Sequence, residues 1–186
     1  MSRVTPYREP ADAPEAELAA RIRARRGGRL LNLDRLLLRS PPFAAGWNAH
    51  LGAVRTELAL SPKLRELAIC AVAVLNGAEY EFAQHAPEWL RAGGTDRQMA
   101  ALQALSPSGD EYPPGFDDSE RAVLRLSVEM TRDVKVSNTT FERVRSVLAD
   151  ERQLVELVGV IATYNMVSRF LVALEIDMEG ALTENP

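Results

Sequence analysis

The sequence predicts an all-α chain, a single helical domain with an N-terminal extension, and three observations predict it. Apolar residues recur at helical spacing, helix start and stop signals punctuate the runs, and nowhere does strict apolar/polar alternation stand between hairpin turns. At 186 residues the chain is long enough to bury a sizeable core. Its apolar fraction of 46% and charged fraction of 26% are those of an ordinary globular protein.

Residues 1–14 carry Pro6, Pro10 and Pro14 and few large apolar groups. They read as an extended arm, disordered or laid across a neighbouring subunit. A helical domain is expected over 15–180 and a tail over 181–186. The first helix runs from Glu15 to Arg26 and stops at Gly27–Gly28. Leucines at 30, 31, 33, 36, 37 and 38 suggest a short buried helix that ends before Pro41–Pro42. From Pro42 to Leu58, residues Phe43, Trp47, Leu51 and Val54 fall on one helical face.

Ser61 and Pro62 mark the next start, because proline at the first helical position gives up an N–H that has no partner there anyway. That helix breaks at Asn76–Gly77, a pair that tolerates left-handed backbone, and a new one covers Ala78 to Ala92. Thr95 with Gln98 forms a capping box for a short helix to Leu105. Residues 106–116 hold three prolines and two glycines and make a loop, a candidate lid or subunit-crossing strap. Asp117 or Asp118 caps a helix to Arg132, and Thr139 with Glu142 resembles a second capping box, for a helix to Leu148. The last helix, Glu151 to Met178, carries Leu154, Leu157, Val158, Ile161, Met166, Phe170 and Leu174.

Composition narrows the chemistry. A net charge of −4 provides no field toward nucleic acid or an anionic membrane. The longest uninterrupted apolar run, Leu67–Leu75, is too short to span a bilayer, and the N-terminus lacks the apolar core of a secretory signal. A single cysteine, Cys70, allows no internal disulfide and no cysteine-rich metal site, so the cytoplasm is the expected location. With only His50 and His85 and no HExxH spacing, no metal site is expected; GxSxG and glycine-rich phosphate loops are absent too. The basic run Arg21–Arg29 lacks interleaved aromatics and reads as a solvated helix end or a subunit contact. His50 reads as a helix-surface histidine, and Cys70, amid apolar neighbours, as an inert buried thiol.

The densest polar cluster in an apolar context is Asn76 to His85. Glu81 and His85 are four apart and share a helical face with Ala78, Phe82 and Trp89, which suggests that the face points inward. An imidazole beside a carboxylate in a partly dry site can pass a proton in either direction near neutrality. The plainer reading is an i, i+4 ion pair, worth a few tenths of a kcal/mol, of order ~0.3. Glu66, in the first turn of its helix, complements the helix dipole.

The stretch from Leu60 to His85, with its Arg-Glu-Leu, Asn-Gly, Glu-Tyr-Glu and final His, resembles the carboxymuconolactone decarboxylase family, which shares a superfamily with the alkylhydroperoxidase D-like proteins. The resemblance is good from Leu60 to Leu105. It is looser over Leu30–Leu58 and over Glu151–Leu174, with its Tyr-Asn-Met-Val-Ser-Arg-Phe. It implies an alkylhydroperoxidase D-like helical bundle. In the hydroperoxidase branch, two cysteines would stand at Ala78 and Glu81, a relay histidine at Tyr80 and a relay glutamate at Glu66. Both sulfurs are missing here, and Cys70 has no resolving partner, so disulfide cycling would require an external thiol.

In the decarboxylase branch a glutamate precedes a histidine by four residues, as Glu81 precedes His85. That branch needs no cofactor. The resemblance implies a lyase that decarboxylates a small unsaturated lactone or carboxylic acid and must stabilise an enolate and protonate carbon. His85 would deliver the proton, Glu81 would orient it, and Glu66 and Tyr80 would assist. Two rivals stand beside this reading: a peroxidase-like protein dependent on an external thiol, and a non-catalytic ligand-binding or assembly protein. The resemblance also implies a homo-oligomer, trimeric or hexameric, with a small-molecule substrate and with neither nucleic acid nor membrane as partner.

Overall fold

The computed structural model describes residues 2–8, 15–105 and 115–180. Nine helices and no strand occur among them: α1 (Ala16–Arg25), α2 (Asn32–Leu37), α3 (Pro41–Thr56), α4 (Pro62–Leu75), α5 (Glu79–Arg91), α6 (Asp96–Gln103), α7 (Asp118–Arg132), α8 (Asn138–Val147) and α9 (Glu151–Leu174). Met1 and residues 9–14 of the expected arm, 106–114 of the expected loop and the 181–186 tail lie outside the described residues.

The chain forms two compact units, one from the residues up to Glu57 together with those from Ala173 onward, the other Leu58–Val172. In the first, α1 and α2 pack on α3. The helix break after α1 uses Gly27 and Gly28 at φ 74° and 103°, as the sequence signals. Asp34, almost fully buried, accepts from Leu31 N at the start of α2 and pairs with Arg26 at 3.1 Å. Residues 2–8 bond within their own chain: Arg3 N donates to Leu174 O, Ser2 Oγ to Asp177, and Tyr7 N to Arg35 O. On α3, Trp47, Leu51 and Val54 are buried as expected, but Phe43 is 46% exposed. Its ring stays near the surface, tilted against Trp47 at a centroid distance of 5.7 Å.

The second unit is built around α4, against which α5, α6 and α7 pack, with α8 on α7. Eight consecutive residues of α4, Glu66 to Ala73, are buried. That explains its continuous apolar run, because a helix surrounded on all sides has no polar face. Pro62 sits at the start as expected, although Ser61 makes no side-chain capping bond. Gly77, at φ 64°, turns the chain between α4 and α5, and the two helices fold back on one another.

Capping decides the other boundaries. Thr95 Oγ1 accepts from Gln98 N at 3.2 Å, and Gln98 Oε1 accepts from Thr95 N at 3.1 Å, which is the expected box. Asp117 and Glu120 form a second box at α7. At α8 the cap is Ser137, whose Oγ accepts from Thr140 N, and not Thr139. The Glu129 carboxylate reaches over from α7 to accept from Ser137 N at 2.7 Å, which fixes the earlier start. Lys63 Nζ lies 2.7 Å from Glu120 Oε1, and Gln98 Nε2 donates to Glu120 Oε2 at 2.9 Å, tying α4, α6 and α7 together.

α9 stops at Leu174, earlier than expected, because Glu175 adopts a left-handed φ of 49°. Met166, one of the apolar residues it carries, is exposed. By length and composition alone α9 could cross a bilayer, which the sequence reading missed by counting only uninterrupted runs. Ten of its residues are buried within the chain, among them Thr163, Tyr164, Asn165 and Ser168, the pattern of a core helix.

Trp89 on α5 is fully buried and stacks on Phe116, with ring centroids 6.3 Å apart. A Cβ at Gly94 would lie 2.9 Å from two atoms of that indole. Gly94→Ala is therefore expected to lower stability by about 1–3 kcal/mol through overpacking, read as a drop in the thermal unfolding midpoint. An unchanged midpoint would show that the indole yields freely.

Candidate functional site

The candidate site lies within Leu58–Val172, where α4, α5 and α9 each contribute residues spaced i, i+4. Glu66 and Cys70 come from α4, Glu81 and His85 from α5, and Tyr164 and Ser168 from α9. One turn of helix sets each pair on a common face, so the three faces bring six groups into one interior region.

His85 is 5% exposed, and its Nδ1 lies 2.7 Å from Oε2 of Glu66, which is 3% exposed. The i, i+4 spacing points to Glu81 as the partner that orients His85; the structure gives that position to Glu66. The physical reason is the α4–α5 turn at Gly77, which folds the second turn of α4, where Glu66 sits rather than in the first turn expected from the sequence, level with the middle of α5. Glu66 Oε1 accepts from Arg65 Nε at 3.1 Å, so arginine, carboxylate and imidazole form a short line. Tyr164 meets the His85 ring edge to face, with centroids 5.0 Å apart at 84°, and fixes its plane from α9.

Glu81 has a different environment. It is 2% exposed, Ser168 Oγ donates to its Oε1 at 2.9 Å, and its Oε2 is buried with no hydrogen-bond partner. Burial pushes its carboxyl well above the usual carboxylate range, opposed only by the Ser168 bond. Burial therefore favours the protonated, uncharged form of Glu81. In that form, with Ser168 donating to Oε1, a proton on Oε2 would find no acceptor among the described residues. Such an unmet buried donor costs about 1–3 kcal/mol.

Tyr80 is buried beside Glu81 in the first turns of α5. Cys70 is fully buried, and its thiol is pushed far up, first by burial and then by the Glu66 and Glu81 carboxyls. It is the inert thiol that the sequence indicates. His50 lies exposed on α3, as expected.

Sequence reasoning did not single out Tyr164 and Ser168. Their signal was present, as a tyrosine and a serine four apart inside an otherwise apolar helix, with Asn165 between them. Asn165 accepts from Asn76 Nδ2 at 3.1 Å and donates to Thr131 Oγ1 at 3.0 Å. It thereby locks the α4–α5 turn against α7 and α9. Among the described residues no cluster of three or more His, Cys, Asp or Glu side chains could hold a metal ion.

No curated protein matches the chain by sequence. Residues 41–111 match the Carboxymuconolactone decarboxylase family. Among solved structures, a peroxidase-related protein from Silicibacter sp. TM1040 superposes with a TM-score of 0.78 at 18% identity, covering 96% of this chain and 92% of that one. A peroxidase-related protein from Ralstonia eutropha JMP134, described as an alkylhydroperoxidase AhpD core, gives 0.72 at 15% identity, covering 95% and 94%. The debrominase Bmp8, solved in complex with 2,3,4-tribromopyrrole, gives 0.70 at 17% identity, covering 97% and 95%. At these identities the likeness establishes an AhpD-like all-helical fold.

Proposed function

We propose that this chain, whose residues 41–111 match the Carboxymuconolactone decarboxylase family, is a cofactor-free proton-transfer enzyme of the decarboxylase type, acting on a small unsaturated lactone or carboxylic acid. The observation that carries this reading is the pairing of two buried acids with opposite duties. Glu66 is held between Arg65 and His85, while burial pushes the Glu81 carboxyl well above the usual carboxylate range and leaves its Oε2 without a partner. Environments that separate two titratable groups in this way mark the acid and base positions of a site.

In the proposed reaction the bond from carbon to the leaving carboxylate breaks, CO2 departs, and the electron pair enters the conjugated carbonyl to form an enolate. The Glu81 O–H stabilises the developing oxyanion as a preorganised donor in a dry setting. His85, oriented through Nδ1 by Glu66, delivers a proton from Nε2 to carbon and is reprotonated from solvent. Tyr80 remains an accessory candidate for binding the lactone. The peroxidase-like alternative has no support from Cys70, which is sealed and protonated. A purely structural pairing leaves the unmet Glu81 oxygen without a reason. The reading includes a trimeric or hexameric homo-oligomer in the cytoplasm, where a lone thiol stays reduced.

The test is a panel of small unsaturated lactones and carboxylic acids, incubated with purified, chelator-treated protein in thiol-free buffer. Products are followed by mass spectrometry for loss of CO2 or a shifted double bond. Conversion under these conditions is expected. A requirement for thiol or metal, or no conversion of any member, would overturn the proposal.

A further inference from the structure

Arg65 is an unusual cation for its surroundings. Its side chain is only 14% exposed, and it stands at the point where α4 becomes buried on all sides. Its Nε is committed to Glu66 Oε1 at 3.1 Å. The two terminal nitrogens make no hydrogen bond to the described residues, yet they are not among the sealed, unsatisfied atoms of the interior. A guanidinium presents five N–H donors in a planar fork, and one is used here. Four remain, on terminal nitrogens that stay open to a ligand.

Glu66 spans the short distance to the imidazole, since the oxygen opposite the Arg65 bond lies 2.7 Å from His85 Nδ1. Anything seated on the Arg65 fork is therefore within a small molecule's length of the His85 ring. Burial favours the uncharged form of the other acid nearby, Glu81, which lessens its repulsion of an anion. A planar fork with parallel donors matches a carboxylate two bonds at a time, with a geometry that lysine does not supply.

We infer that the terminal nitrogens of Arg65 form the carboxylate-binding site of this protein, and that its ligand is a small carboxylate held there beside His85. This deepens the reading above and rests on it for the role of His85. The carboxylate on Arg65 is one that the reaction leaves intact. Clamping the group that must depart as CO2 would stabilise the ground state over the transition state. The substrate class is thus a small unsaturated acid that keeps an anionic handle, and Arg65 is a specificity residue for it.

The test is a binding experiment, so that it stands or falls apart from turnover. Crotonate and its neutral counterpart crotonamide are titrated by NMR into wild type, Arg65→Gln and Arg65→Lys. Wild type is expected to bind the carboxylate about tenfold tighter than the amide, the worth of a charge-assisted contact. That ratio should collapse toward unity in Arg65→Gln and fall to an intermediate value in Arg65→Lys. A variant that merely folds poorly would weaken both ligands and leave the ratio standing, which overturns the proposal. A ratio near unity in wild type, or no crotonate binding at millimolar concentration, overturns it too. Selective crotonate binding with no turnover of any substrate would instead defeat the decarboxylase reading and leave the anion site in place.

Discussion

Turnover by a His85→Gln variant is expected to fall by about 10²–10⁴-fold in kcat/KM, the range of a positioned proton-transfer group. Glutamine keeps a polar donor that can reach Glu66 and cannot carry a proton to carbon, so the fold should persist, as circular dichroism would confirm. Glu66→Gln should produce a loss of similar order, because the 2.7 Å contact with Nδ1 makes Glu66 act through the ring. The decisive measurement is the double variant. Two residues that act as one unit are non-additive, so His85→Gln with Glu66→Gln should be little worse than His85→Gln alone. Losses that multiply would separate the two residues into independent roles.

The second large effect is on stability and its pH dependence. Burial holds the Glu81 proton well above its ordinary value of 4.5. Once the chain unfolds, the same carboxyl ionises at that ordinary value. Between the two, the native state carries one more proton than the unfolded state, and stability declines as pH rises. Within that window the decline approaches about 1.4 kcal/mol per pH unit for one proton. Glu81→Gln has nothing to ionise. It should therefore gain on wild type with rising pH, with little difference at pH ~5 and a clearly higher unfolding free energy at pH ~8. Urea denaturation of both proteins at the two pH values measures this directly. Parallel curves would mean that Glu81 ionises in the native state, and the neutral-acid role would go with it.

Most helix boundaries were legible because they depend on local chemistry. Gly27–Gly28, Pro62, Gly77 and the Thr95–Gln98 box act within a few residues of themselves, and the structure places helix ends at each. The failures needed knowledge of distant contacts. Ser137 beats Thr139 as a cap because Glu129, on the preceding helix, engages it. Phe43 fits the apolar stripe of α3 by spacing and is nonetheless left outside, since spacing gives a face and not its depth.

The AhpD-like fold and the family match over residues 41–111 were readable from Leu60–His85, and so were the names of the principal candidates. Their partnerships were not. Periodicity places Glu81 and His85 on one face but says nothing of what α4 and α9 bring against it. The structure exchanges the expected roles, giving His85 to Glu66 and Glu81 to Ser168. The Ser168 contact spans 87 positions of sequence, far beyond any local signal.

The tight turn at Gly77 also bears on how the molecule is born. Glu66 and His85 are separated by only 19 positions, so closing α4 on α5 loses little chain entropy, and such local hairpins form early. The Glu66–His85 pair therefore takes shape within a short, self-contained piece of backbone. The serine from the last helix arrives from 87 positions away, at the slower pace of long-range closure. During synthesis the imidazole meets its carboxylate while α9 is still being made, and only its arrival gives the second acid a partner.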